Sequence, residues 1–400
     1  MSEWKKVKLG DICQIIDGDR GKNYPKNHEF FESGYCLFLN TGNVTKVGFS
    51  FANNQFITKE KDELLRKGKI QRGDLILTTR GTVGNIAYYT NLIKYENVRI
   101  NSGMVILRVN KENVDASFLY QLVRSKESRT YINSFCTGSA QPQLPIKNLS
   151  QIGFEIPPLP IQHRIASILS RYDSLIENYQ KQIKLLEEAA QRLYKEWFVN
   201  LHFPGHENTK IVDGVPEGWE KKKLVEIADI VMGQSPKSEY YNNEFKGLPF
   251  HQGVGSYGNR FVVDNTYSTS FTRIAEPNSV LFSVRAPVGR LNITKNKVVI
   301  GRGLAAMTHK KGYQSYLFYL LKERFFKDNI IGNGAIFASI SKNELHNLDF
   351  TTPTDDLAIQ FNTIAGNLDD EIMKADTQIR LLTEARDRLL PKLMSGEIAV

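Results

Sequence analysis

Residues 157–200 read PPLPIQHRIASILSRYDSLIENYQKQIKLLEEAAQRLYKEWFVN. Apolar side chains recur at Ile161, Ile165, Ile168, Tyr172, Ile176, Tyr179, Ile183, Leu186, Ala190, Leu193 and Trp197. Steps of three and four residues put them in one stripe along a helix. Pro157, Pro158 and Pro160 suit the entry to that helix. At 1.5 Å per residue, a helix over 161–198 spans roughly 57 Å. A rod of that length cannot be covered by one small domain. It requires a second helix or two bodies to bridge.

The second helix is in the same chain. Adding 196 to each stripe position gives Leu357, Phe361, Ile364, Leu368, Ile372, Ala375, Ile379, Leu382, Arg386, Leu389 and Leu393, with Arg386 the one break in the apolar pattern. Identities recur as well: Gln182-Ile183 as Gln378-Ile379, Glu188-Ala189 as Glu384-Ala385, and Arg192-Leu193 as Arg388-Leu389. Two such stripes pair antiparallel when each helix leaves its own globular part in the same manner.

The repeat runs through the whole chain. Trp4, Leu9, Ile12, Ile15 and Gly18 recur 215 positions later as Trp219, Leu224, Ile227, Ile230 and Gly233. Arg80-x2-Val83-Gly84 recurs as Arg285-x2-Val288-Gly289, Gly103 as Gly303 and Gly138 as Gly334. The offset falls from 215 to 196, so the second copy is 19 residues shorter between fixed anchors. A duplicated domain with divergent surface loops has this signature. Apolar, β-branched runs at 73–80 and 279–285 predict strands, and SFLYQLVRS (117–125) and SYLFYLLKE (315–323) predict short helices. The Gly-rich TGSAQPQLP and GNGAIFASIS follow those helices. The expected class is α/β (α+β): two repeated domains, 1–156 and 219–350, separated by a pair of long antiparallel helices in 157–200 and 351–400, pseudo-two-fold symmetric, with 201–218 as linker.

Four hundred residues with 41% apolar content suit a multi-domain globular protein. No apolar run approaches a membrane span, and MSEWKKVKLGD lacks a signal-peptide core, so a cytoplasmic protein is expected. Cys13, Cys36 and Cys136 are odd in number and widely spaced, which predicts reduced thiols. The net charge of +9 divides as +7 in 1–156, +5 in 206–350, +1 in the first helix and −4 in 351–400. The positive excess therefore lies in the globular parts, a footprint suited to a polyanion.

Motifs for bond-making chemistry are missing. Gly253-Val254-Gly255-Ser256-Tyr257-Gly258 fits a dinucleotide fingerprint, but the strand-like FVVDNTYS follows where a helix is needed. There is no phosphate-binding P-loop. His202 and His206 are separated by Pro204-Gly205 and have no cluster around them to complete a metal site. Glu187-Glu188 reads as a solvated helix face. Glu244-Phe245-Lys246 is at most half of a nuclease carboxylate–lysine pair. Binding is the positive expectation. Arg20, Lys22, Tyr24, Lys26, Arg80, Gln141 and Gln143 in the first copy are candidates for contact with DNA phosphates and base edges. So are Gln234, Lys237, Tyr257, Arg260, Arg285 and Arg290 in the second, where Tyr240, Tyr241 and Lys246 continue the basic–aromatic interleaving. Two roles fit Arg80 and Arg285: contact with DNA, or bracing of the fold.

TTRGTVGNIAYY (78–89), GSAQPQLPIKNLSQIGFEIPPLPIQHRIASIL (138–169), RLYKEWFVN (192–200) and VPEGWEKKKL (215–224) are long ordered strings. With SVRAPVG (283–289) and GNGAIFASISKNELHNLDFTTP (332–353), the chain closely resembles the specificity (S) subunit of type I restriction–modification enzymes over nearly its full length. The resemblance implies that each copy is a target recognition domain reading one half of a bipartite double-stranded DNA sequence. The long helices would be conserved spacers that set the gap and dock two methyltransferase subunits. S-adenosylmethionine, ATP and Mg would belong to the methyltransferase and restriction subunits, with no cofactor, catalytic residue or metal in this chain. Arg386 and the acidic helix start Asp355-Asp356 depart from the pattern of the first copy. Half-sites about 34 Å apart face one side of a duplex, a gap that a rod over about 50 Å long can span. The alternative from another class is a coiled-coil scaffold with two protein-binding domains.

Overall fold

The computed structural model describes residues 4–138, 141–325 and 339–400. Gly334 and most of the Gly-rich GNGAIFASIS stretch lie outside the described residues. Contacts divide the chain into two units, 1–178 with 378–400 and 179–377. Two 40-residue helices, Leu159–Phe198 and Asp355–Met394, each contribute one half to each unit.

In the first unit, strands Cys13–Asp17, Met104–Val109, Leu75–Thr78 and Ile86–Tyr88 form an antiparallel sheet in that order. In the second, Ala228–Met232, Leu304–His309, Val280–Ser283 and Leu291–Ile293 form the same sheet. Register is preserved as well as order. Val105 pairs with Asp17 and Ala305 with Met232; Met104 pairs with Thr78 and Leu304 with Ser283. A parallel pair sits beside each sheet: Cys36–Leu39 with Val98–Ile100, and Leu248–His251 with Val298–Ile300. The apolar runs that predict the strands are buried on both faces, with Leu75 and Leu77 in one core cluster and Ile76 in another, so a slip of one residue would exchange the side chains of two packed cores. Gly18 and Gly233 each directly follow the first strand of their sheet. A Cβ on Gly18 would lie 2.2 Å from the Asn101 carbonyl oxygen, and one on Gly233 2.1 Å from that of Gly301, so only glycine fits.

The predicted short helices are Ala116–Arg124 and Gln314–Phe325. Each packs on a long helix in its own unit, and each is capped from it. The Asp115 N–H donates to Gln162 Oε1 at 3.0 Å, and the Ser315 N–H donates to Asn362 Oδ1 at 3.0 Å. In the second unit Phe361 is fully buried among Tyr194, Trp197, Phe198, Tyr316 and Tyr319, with ring centroids 5.1–6.3 Å away. The repeat offsets place Ile165, Leu390, Leu393, Met394, Phe118 and Gln121 at the corresponding positions of the first unit, so one site is aromatic and the other largely aliphatic. Burying one such side chain contributes roughly 1.5–3 kcal/mol.

Most predicted stripe positions face inward, including Ile165, Ile176, Trp197, Ile372 and Leu393. Ile364 is a correction: it is 44% exposed, and Ala365 beside it is fully buried. The helix is packed by both its partner and the short domain helix, so its buried arc extends off a single stripe. Leu169, Tyr194 and Leu390 are buried for the same reason.

Arg386 has a partner. It is buried, and its Nη1 lies 2.7 Å from Asp173 Oδ1. The other Asp173 oxygen accepts from Gln121 at 2.6 Å and Arg124 at 2.9 Å. The acidic start of the second helix places Asp355 and Asp356 in the first turn, where the macrodipole favours negative charge, and Asp355 pairs with Lys311. Within 201–218, Ile211–Val212 and Val215–Pro216 form a small hairpin, and Phe203 is buried in the second unit's core.

Asp173→Ala should destabilise the first unit by about 2 kcal/mol, because Arg386 and Arg124 lose their shared acceptor. Combining Asp173→Asn with Arg386→Leu should restore most of the loss, as read by denaturant melts. A second expectation concerns pH. Burial, assisted by Lys311, pushes His309 from 6.5 to about 4 against the opposing pull of Asp355. The unfolded chain therefore takes up a proton that the folded chain refuses. Stability is complete above pH 6.5 and is lost as pH falls toward 4. His309→Gln should flatten the fall in melting temperature between about pH 7 and about pH 5.

Candidate nucleic-acid interface

In the first unit, the loop after Cys13–Asp17 is shaped from within. Asp19 is buried and accepts the N–H groups of Gly21 and Arg66, both at 2.8 Å. These bonds, that of Gly21 first, hold its carboxyl below the usual range. The neighbouring Arg20 is thereby turned outward, with Nη2 3.2 Å from Asp17 Oδ1 and 3.3 Å from the Ser102 carbonyl oxygen. Arg80 follows the strand Leu75–Thr78. Its N–H donates to the Gly103 carbonyl at 3.2 Å, and its backbone bridges Gln143. Arg20, Arg80 and Gln143 come together on one cleft of about 270 Å³. Lys22, Lys26 and Gln141 are exposed outside that cleft. Tyr24 is half-buried, its ring edge-on to Phe38 at 5.7 Å, and burial raises its pKa.

The second unit repeats the frame with different side chains. Arg285 is exposed after Val280–Ser283 and bridges Ser339, as Arg80 bridges Gln143. Arg290, Gln234 and Lys237 are also exposed. A cleft of about 780 Å³ opens beside Ser235, Gln252 and Arg302, with the stacked rings of Tyr241 and Phe250 (4.7 Å) on its wall. The Ser235 hydroxyl donates to Gln252 Oε1 at 2.7 Å and accepts the Arg302 N–H at 3.3 Å. Such a surface of guanidinium, amide and hydroxyl groups can pair with phosphates and with base edges.

Two candidates are corrected. Arg260 is 4% exposed and pairs with Asp369 and with Glu187 at 3.4 Å. Its guanidinium lies 4.3 Å from the Phe318 ring centroid. It is a buried tie onto both long helices, and the same pairing brings Glu187 out of its expected solvated role. Tyr257 has its hydroxyl buried, which raises its pKa and turns it from any ligand. Residues 254–256 form a single 3₁₀ turn, and Tyr257 then bridges Val262, so the glycine fingerprint opens no helix.

Ser102, Gln252 and Arg302 carry no motif of their own in the sequence. Ser102 and Arg302 lie one residue from the Gly103/Gly303 anchors. Gln252 emerges only from the parallel strand pairing. Among the described residues, no group of three or more His, Cys, Asp or Glu is placed to hold a metal ion, and no helix is long and apolar enough to cross a membrane.

The family described as type I restriction modification DNA specificity domain matches residues 1–188 and 216–373. The chain belongs to that family, as a type I restriction–modification specificity subunit with two target recognition domains. It is similar to a putative type I restriction enzyme specificity subunit of Methanocaldococcus jannaschii, 29% identical over 411 residues that cover 100% of this chain and 94% of the relative. It is also similar to the HindI specificity subunit of Haemophilus influenzae, 22% identical with full coverage of both chains. The crystal structure of a type I restriction–modification S subunit from M. genitalium shares the fold at TM-score 0.62 and 16% identity, covering 98% of this chain and 96% of that one.

Arg260→Gln should destabilise the second unit by about 3 kcal/mol, because Asp369 and Glu187 lose the cation between them and Asp369 is left with the Tyr319 hydroxyl. Folded Arg260→Gln protein should keep the salt dependence of DNA binding unchanged, which distinguishes a buried tie from a phosphate contact.

Proposed function

We propose that the chain is the DNA-reading, non-catalytic subunit of a type I restriction–modification complex. Each unit recognises one half of a bipartite duplex target. The length of the two helices sets the permitted gap between the halves. Two methyltransferase subunits dock on the chain, and restriction subunits complete the assembly. S-adenosylmethionine, ATP and Mg are held by those partners, and the complex works in the cytoplasm. The observation that carries this reading is the preservation of one strand register in two units whose cleft side chains differ. A duplicated frame with divergent lining is suited to reading two different half-sequences. The net charge of +9, concentrated in the same globular parts, supports a polyanionic ligand.

Selection from a random duplex pool, with methyltransferase subunits present, should yield two conserved blocks separated by a gap of constant length. Inserting one helical turn in each long helix should lengthen that gap and leave both blocks unchanged. Recovery of an unchanged gap would remove the spacer role. Failure to enrich any sequence would favour a scaffold that binds proteins.

A further inference from the structure

The two recognition domains can be compared position by position, because their strands share one register. Some cations are the same in both. Arg80 and Arg285 each follow the third strand in the spatial order of their sheet, are exposed, and bridge the segment after the short domain helix. Lys22 and Lys237, at the common offset of 215, are both exposed Lys.

Other positions carry different groups on the same scaffold. Arg20 corresponds to Ser235 by the offset at Gly18/Gly233, and Ser102 to Arg302 by the offset at Gly103/Gly303. The two places touch in both units: Arg20 Nη2 lies 3.3 Å from the Ser102 carbonyl oxygen, and the Arg302 N–H donates to Ser235 Oγ at 3.3 Å. The arginine and the serine have exchanged places. Asn40 corresponds to Gln252, since Phe38 pairs with Arg99 where Phe250 pairs with Val299. Asn40 turns its amide oxygen to the Gly42 N–H at 2.8 Å, whereas Gln252 points its own to Ser235.

From this internal comparison we infer that Arg80 and Arg285 hold the DNA phosphate backbone, and that Arg20 in one domain and Arg302 with Gln252 in the other read bases. The inference rests on the DNA-reading function and adds a division of labour to it. Two domains that read different half-sequences meet one feature in common, the sugar–phosphate chain, and a side chain kept in both suits that feature. Sequence is read by groups that differ. A guanidinium pairs with the acceptor edge of guanine and an amide with adenine, and moving the arginine from the loop after the first strand to the turn before Leu304–His309 moves the edge that it meets.

The experiment uses the full chain with its methyltransferase subunits, on the duplex that the wild type selects and on every single-base change of it. Arg80→Gln and Arg285→Gln should weaken binding about equally on all these duplexes and lower the salt slope by about one. Arg80→Lys, which keeps the charge, should restore both. Arg302→Gln should erase about tenfold or more of discrimination at one or two base pairs of a single half-site, and Arg302→Lys should not restore it. Arg20→Gln should do the same in the other half-site. Relaxed discrimination at a single base pair in Arg80→Gln, or a uniform loss in Arg302→Gln, would overturn the assignment while leaving DNA reading intact. A wild-type complex that selects no sequence would overturn the DNA reading itself, and this inference with it.

Discussion

The structure depends on one aspartate placed at the same point of each long helix. Asp173 and Asp369 are 196 positions apart, the repeat offset of the helices. Each carboxylate lies within its own unit where the short domain helix crosses the long one, and each collects charged or polar donors from that helix and from one further element. Asp173 takes Gln121, Arg124 and Arg386. Asp369 takes Tyr319 and Arg260. A partly buried carboxylate of this kind is costly to leave unpaired, so it specifies which surfaces meet.

The two units satisfy that requirement from different sources. In the first, the cation comes from the opposite long helix, as the one charged residue in its apolar stripe. In the second, Ala190 occupies the corresponding helix position with no exposure, and Arg260 arrives from the recognition domain instead. The aromatic cluster around Phe361 and its largely aliphatic counterpart around Ile165 follow the same logic. One geometry is filled by two sets of side chains. The recognition surfaces vary in the same way above a constant strand register.

Much of this was legible in the chain. The heptad-like stripes announced the long helices, and constant-offset identities announced the duplication. The strands at 73–80 and 279–285 and the helices at 117–125 and 315–323 are legible because short apolar runs, β-branched in the strands, mark segments that must be buried. The chemistry of Arg20, Arg80 and Gln143 points to a binding surface, and the structure brings them onto one cleft. The same chemistry at Arg260 is consumed inside, since polarity in a loop does not tell whether a carboxylate waits behind it. Ile364 falls on the predicted seam yet is exposed, because a single stripe ignores the second body that the helix packs against.

The sequence by itself determined the duplication, the two rods, the α/β character of each copy and the family, because these are carried by repeated local patterns. Tertiary structure decided which polar groups face solvent and which are consumed inside. It set the partners of Asp173 and Asp369, the burial of Arg260 and Tyr257, and the meeting of Ser235, Gln252 and Arg302. Those outcomes join residues from 17 to 213 positions apart, and no local periodicity encodes a contact that only strand pairing and helix packing create.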